Sequence, residues 1–277
     1  MPPGLFFEHG AVRGYFTDFR AKTVSPEAAS PSRLLPADLA QLALGWWDRG
    51  LAGDRGAIER FKYVCTLLEK SAEIRENEWR WPYHITVPKY KISPPLYSAL
   101  AQAQVASTFV RAYLVTADSR YAEIALGAVR PLIHEADSDL VSLTRAGPVL
   151  EENPSNPPSH ILNGWIYGLW GLWDVALGIG DDAARRTYDA SLHCLRQMLD
   201  QYDVGWWTRY SLYPHLIPDL AKPFYHRLHI DQVEVLYRLT GFEEFRSAAR
   251  RWRGYDNHVY RVAAIAQKAM FVATRYA

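Results

Sequence analysis

Three stretches of the chain gather side chains that can hold or move protons next to aromatic rings. In residues 79–95, WRWPYHITVPKYKISPP, Lys89 and Lys91 stand with Tyr83 and Tyr90, and Tyr97 follows closely. Ammonium groups on flexible stems beside phenol rings suit an acidic sugar, whose flat face stacks while its carboxylate is paired. Residues 151–177, EENPSNPPSHILNGWIYGLWGLWDVAL, run from an acidic, proline-rich loop into an apolar aromatic segment. Residues 202–232 crowd Tyr210, Tyr213, Lys222, Tyr225, His226 and His229 into one loop and the helix that follows it. Two histidines three apart on a helix are only a weak signal for metal ligation. No HExxH spacing and no acidic third ligand accompany them, so neither a metal nor a cofactor is expected.

The elements that must position these groups are helical. Pro154, Pro157 and Pro158 stiffen the acidic loop, and Ser159 is expected to N-cap the helix beyond it. On that helix Asn163, Tyr167, Trp170 and Asp174 share one face, while Gly164, Gly168 and Gly171 form a stripe that admits another helix or a ligand. A helix beginning near Phe224 places Tyr225, His229 and Gln232 on one face. In the apolar segment 97–116, Gln102 or Gln104 is expected to be buried, a polar group that must find a partner in the core or in a ligand.

A repeat joins these segments. Junctions of one layout, a helix end, a short turn, a polar cap and a new helix, begin at Leu51, Leu114, Leu177 and Leu239, with spacings of 63, 63 and 62 residues. Two helices per period predict helical hairpins arrayed about a common axis. No β-rich region interrupts them. The expected fold is therefore all-α, an α/α toroid or incomplete α/α barrel whose inner helices line a central cleft. It is assigned to residues 36–277, with residues 1–35 as a short irregular arm.

Composition narrows the function classes. The 277 residues carry 31 Lys+Arg against 30 Asp+Glu, a net charge of +1. A global field attractive to nucleic acid is absent, so no nucleic-acid partner is expected. Cys65 and Cys194 lie far apart in helical patterns and form no disulfide or zinc framework. No apolar run has membrane-spanning length, and the first residues lack the apolar stretch of a signal peptide, which leads to the expectation of a cytoplasmic protein. The 10 Trp and 17 Tyr fit a sugar cleft, although large rings also fill cores.

Four segments, YSALAQAQVASTFVRAYLVT, EENPSNPPSHILNGWIYGLWGLWD, YDVGWWTRYSLY and LAKPFYHRLHIDQ, together resemble the C-terminal catalytic domain of D-glucuronyl C5-epimerases. The resemblance runs from about Trp81 to Tyr255. It implies an α/α toroid acting on an acidic polysaccharide, converting glucuronate to iduronate in a heparosan-like chain. The family's catalytic glutamate falls on Glu152 and its two C-terminal tyrosines on Tyr210 and Tyr225. The substrate-binding asparagine and tyrosine of its LNG-x-x-Y motif match Asn163 and Tyr167. Two positions depart from the family: Asn153 stands where a third active-site tyrosine follows the glutamate, and Tyr213 stands where an arginine is usual. The family's β-rich N-terminal domains have no counterpart in so short an arm. Part of the family's substrate-binding surface is therefore expected to be missing or to come from another subunit, which leaves a homodimer open.

Epimerisation at C5 removes a hydrogen α to a carboxylate and returns one to the opposite face, so two proton-handling groups must flank the ring. The resemblance implies Glu152 as base and Tyr225 as acid, with Lys222, Arg227 or His226 expected to lower the phenol's pKa. Lys89, Lys91, Lys222, His226, Arg227 and His229 are the remaining candidates for contact with an acidic substrate, and Tyr210 and Asn163 for donors to its carboxylate. Two other readings remain open. A polysaccharide lyase begins with the same proton abstraction, and a non-catalytic relative would only bind glycan. A glycoside hydrolase needs two opposed carboxylates, for which only Glu151, Glu152 and Asp174 are at hand.

Overall fold

The computed structural model describes residues 35–51, 53–133 and 138–274. The expected N-terminal arm, apart from Leu35, lies outside the described residues. Among them the chain forms nine α-helices: α1 (Pro36–Leu51), α2 (Ala57–Lys70), α3 (Ala99–Thr116), α4 (Ser119–Val129), α5 (Leu162–Gly178), α6 (Asp182–Met198), α7 (Pro223–Thr240), α8 (Glu243–Tyr255) and α9 (His258–Ala273). The four repeated junctions are the turns of four hairpins, α1–α2, α3–α4, α5–α6 and α7–α8. Asp118 and Asp181 cap two of the second helices, accepting from the amides of Arg120 at 3.0 Å and Ala184 at 2.7 Å. Gly241, at φ 72°, ends α7 in the left-handed conformation that favours glycine.

Burial sorts the helices into two layers. α1, α3, α5 and α7 pack each against the next, and the largest interface joins α3 to α5. Every residue of α3 from Ala99 to Ala112 is buried, as is every residue of α5 from Leu162 to Leu172. Helices hydrophobic all round must be enclosed, so this row forms the inner wall. α6 and α8 bury one face only and turn charge to solvent. The array is the incomplete α/α toroid expected from the repeat. α9 packs on α7 beyond the last hairpin.

Both glutamines of α3 find partners within the protein. Gln102 accepts from the Trp81 amide at 3.0 Å and donates to the carbonyls of Trp79 at 2.8 Å and Ala128 at 2.9 Å. It thereby ties α3 and α4 to the loop carrying Lys89. Gln104 accepts from Gln41 of α1 at 3.1 Å. Farther along, Arg111 of α3 pairs with Asp174 of α5 at 2.6 Å.

Two antiparallel ribbons decorate the helices. β1 (Glu73–Arg75) pairs with β2 (Glu78–Arg80), and β3 (Val141–Thr144) with β4 (Gly147–Leu150). Between β2 and α3 the chain is extended, with bridges Tyr83 to Leu96 and Val87 to Ile92 closing a short hairpin around Lys89. The β3–β4 ribbon has no periodic signature in sequence, yet its second strand leads directly into Glu151 and Glu152. Among the described residues no helix is long and apolar enough to cross a membrane.

Candidate active site

The glycine stripe of α5 determines how close the acidic loop can come. Leu150 lies on Gly168, where an added Cβ would stand 2.7 Å from the leucine Cδ1, and the Glu152 side chain lies on Gly164 so closely that any Cβ there would overlap it. At Gly171 the neighbour is α3 itself, with Ala103 Cα, Cβ and O each 2.5 Å from an added Cβ. The stripe therefore seats β4 and the first residues of the loop on the inner wall and holds α3 against α5.

Glu151 points inward and tethers the loop. Its Oε1 lies 2.6 Å from both the Ser142 hydroxyl and His160 Nδ1, and its Oε2 lies 2.9 Å from the His160 amide and from Ser159 Oγ. Its backbone is held as well, the amide by the Leu140 carbonyl at 2.8 Å and the carbonyl by the Ala99 amide at 3.0 Å. Ser159 thus serves the loop and not the helix, whose N-cap position is Ile161. His160 adopts φ 44°, a left-handed conformation costly for a residue with a Cβ, while its carbonyl accepts from Tyr202 at 2.7 Å. Burial raises the Glu151 carboxyl, but hydrogen bonds from His160 and Ser142 and the charge of His160 more than offset it and hold the group below its ordinary value. Glu151→Ala would leave these buried donors unpaired and release His160. We expect a loss of about 3 kcal/mol in stability, read as a lower melting temperature, with faster amide hydrogen exchange through residues 152–160.

Glu152, the next residue, faces the other way. Asn163 donates to its Oε2 at 3.2 Å and Tyr210 to its Oε1 at 3.4 Å. Burial pushes its carboxyl up to about 7, against the opposing pull of the Lys89 charge and the two hydrogen bonds. The Tyr210 ring meets that of Tyr225 edge on, with centroids 4.9 Å apart. Burial, and then the Glu152 charge, push the Tyr225 phenol up to about 12, while its hydrogen bond with Tyr210 opposes the rise. Burial also drives Tyr210 well above the ordinary phenol value. The tyrosines are protonated donors, and the carboxyl is poised near neutrality.

Over these groups opens a cleft of about 260 Å³ lined by Lys89, Tyr210, Lys222, Tyr225, Lys268, Phe271 and Val272. Lys89 Nζ stands 4.3 Å from the Tyr210 ring centroid. Glu152, Asn163, Lys89, Tyr210, Lys222 and Tyr225 are therefore brought together from four separate parts of the chain. Tyr167 lies one turn deeper along α5, fully buried against Trp170 with ring centroids 5.6 Å apart.

Four sequence candidates lie elsewhere. Successive side chains on a helix are about 100° apart. With Tyr225 facing the cleft, His226 points into the core, where its ring stacks on Trp207 at 3.8 Å and bonds Thr208 Oγ1 at 2.9 Å and the Trp252 carbonyl at 3.0 Å. His229 also lies in the core, 3.1 Å from the same Thr208 oxygen. Burial lowers these imidazoles to about 4 and about 3, so both are neutral and supply no charge to Tyr225. Arg227 turns outward and pairs with Asp256 at 2.9 Å. Lys91 is exposed at the end of the turn after Lys89.

Lys268, Phe271 and Val272, all from α9, were not anticipated, and neither was Asp219. The three α9 residues lie far in sequence from the other cleft residues, whereas Asp219 stands between Tyr210 and Lys222 in one segment. The one available signal was a lone lysine within the apolar run AAIAQKAMFVA.

Three acids near Glu152 have partners of their own. Glu151 is held by Ser142, Ser159 and His160, and Asp174 by Arg111. Asp219 is fully buried between Lys89, at 3.3 Å, and Lys268. None is placed as the second, opposed carboxylate that glycosidic hydrolysis requires.

The family model for the D-glucuronyl C5-epimerase C-terminus matches residues 75–254, well over half of the chain. The chain belongs to this family. A D-glucuronyl C5-epimerase of Caenorhabditis elegans is 28% identical over 195 residues, covering 64% of this chain and 32% of that protein. An uncharacterised protein of Methanocaldococcus jannaschii is 28% identical over 201 residues, covering 69% of this chain and 64% of that protein. The chain thus spans about a third of the first relative and under two thirds of the second. Among solved structures, a sugar epimerase from a ruminal bacterium (TM-score 0.56, 13% identity) and the cellobiose 2-epimerase of Bacillus thermoamylovorans (0.57, 12%) each cover 79% of this chain. The chain covers 58% and 59% of theirs. A GH76 α-mannanase of Bacteroides thetaiotaomicron has a similar TM-score of 0.54 at 11% identity, covering 79% of this chain and 56% of its own. Epimerases and a glycosidase share this fold, so the choice of reaction rests on the side chains.

Proposed function

We propose that the protein is a uronyl C5-epimerase that converts glucuronate to iduronate residues within a heparosan-like polysaccharide. The observation that carries this reading is the chain of three proton-bearing groups, Glu152, Tyr210 and Tyr225, linked by hydrogen bonds at the floor of a lysine-lined cleft. Ionised Glu152 takes the C5 hydrogen, and the electron pair left behind moves into the substrate carboxylate as an enediolate. Tyr225 then delivers its hydroxyl proton to the opposite face of C5. Glu152 now holds a proton and Tyr225 has lost one. Tyr210, bonded to both, offers the return path. That return is strongly downhill, because the carboxyl sits near 7 and the phenol near 12. A base matched to neutral pH is what general catalysis at a carbon acid favours, and lysines beside the developing dianion stabilise it where water is displaced.

The test is incubation of a polymer of alternating glucuronate and N-acetylglucosamine with the protein in heavy water. The expected result in proton NMR is loss of the C5 signal with appearance of iduronate resonances. No C5 exchange would overturn the proposal. Chain cleavage with unsaturated-uronate absorbance would replace it with the lyase reading.

A further inference from the structure

The proposed reaction requires the substrate carboxylate to be held while charge accumulates on it, and the cleft contains a device for this, one member of which, Lys268, lies outside the segment matched by the family model. We infer that Lys268 of α9, paired with Lys89 across the buried Asp219, forms a two-pronged carboxylate clamp, and that Asp219 is the positioning residue that sets its spacing. This inference rests on the uronate reading of the site.

Asp219 has no solvent exposure, and both of its carboxylate oxygens are occupied, one by Lys89 at 3.3 Å and the other by Lys268. Each ammonium has three hydrogens, so each keeps donors to spare after bonding Asp219. Both nitrogens also lie near the face of one ring, that of Tyr210, at 4.3 Å and 5.6 Å from its centroid. The lysines are thus fixed beside the tyrosine that contacts Glu152, and both line the cleft. Charge fits the same occupant. Three ammoniums, those of Lys89, Lys222 and Lys268, line the cleft, and no carboxylate stands among the lining residues. α9 is held in place by contacts around the same loop, with Gln267 donating to the Pro218 carbonyl at 3.5 Å and Phe271 edge on to His215 at 4.8 Å.

The experiment compares affinity for the glucuronate polymer with affinity for its carboxyl-reduced form, in which glucuronate has become glucose. The wild type is expected to prefer the uronate form at least tenfold. Lys268→Met and Asp219→Asn are each expected to bring the ratio to within about twofold, chiefly by weakening binding of the uronate form. Lys268→Arg is expected to restore most of it, which separates charge from folding. A wild type without preference, or a Lys268→Met protein that retains the full ratio, overturns the clamp. C5 exchange in the wild type is scored separately. Preference without exchange keeps the clamp and removes the epimerase reading, while exchange with an unchanged Lys268→Met ratio does the reverse.

Discussion

Glu152→Gln is expected to lower C5 hydrogen exchange by about 10²–10⁴-fold, the range associated with loss of a general base. The substitution keeps the side chain's size and an acceptor for Asn163, and its NH2 can donate to the Tyr210 hydroxyl oxygen, so affinity for the polymer should change little and the loss should fall on turnover. In the wild type, kcat/KM should rise with pH through about 7, because only ionised Glu152 can accept the proton. A linked effect appears in stability. Below about pH 4.5 the carboxyl is protonated in both the folded and unfolded chain and contributes nothing. As pH rises from there to about 7 the unfolded chain gives up the proton and the folded chain keeps it, so stability falls across that window and stays lower above it. The cost is on the order of 3 kcal/mol. Glu152→Gln removes it, and the variant should melt higher than the wild type at pH 8 and alike at pH 4. A variant that is inactive and also less stable at pH 8 would show that Glu152 is structural.

The opposite signs of these effects follow from the placement of two adjacent acids. Glu151 is surrounded by donors and stabilises the loop, whereas Glu152 has two long hydrogen bonds and the Lys89 charge, which do not offset its desolvation. Sequence alone places both in one stiff acidic loop and cannot say which faces inward. That depends on Ser142, which reaches the loop through the β3–β4 ribbon, and on the left-handed backbone of His160. Neither has a periodic signal, since strands of four residues are too short to establish one. The helical hairpins were legible for the reason that Glu151 was not. Their caps, turns and apolar faces are local and recur at Leu51, Leu114, Leu177 and Leu239. Tyr210, Tyr225 and Asn163 could be named because they sit in long ordered motifs. His226, His229 and Arg227 sit in the same motif but point to other sides of α7, and proximity in sequence says nothing of that angle. Lys268 and Asp219 meet across 49 residues through the docking of α9, a contact with no local trace.

The α5 glycines separate fold from chemistry in one further pair of substitutions. Gly171→Ala places a methyl against backbone atoms of Ala103, which cannot yield unless α3 moves as a body. The interface concerned is the largest between any two elements. Overpacking should outweigh the roughly 1 kcal/mol gained in helix propensity, for a net loss of about 2 kcal/mol and a melting temperature lower by about 4–8 °C. Gly164→Ala meets a side chain instead, that of Glu152. Rotation moves the carboxylate but not the Glu152 Cβ, which the added methyl would also overlap, so the loop backbone must shift as well and a net loss of about 2 kcal/mol is expected here too. Glu152 would then no longer lie between Asn163 and Tyr210, and a base displaced by an ångström can cost about 10²-fold in rate. The expected pattern is two destabilised proteins of which Gly164→Ala is nearly inactive per folded molecule and Gly171→Ala keeps its activity per folded molecule. A Gly164→Ala protein with full activity per folded molecule would mean that the stripe serves packing along its whole length and that Glu152 is not held by Gly164.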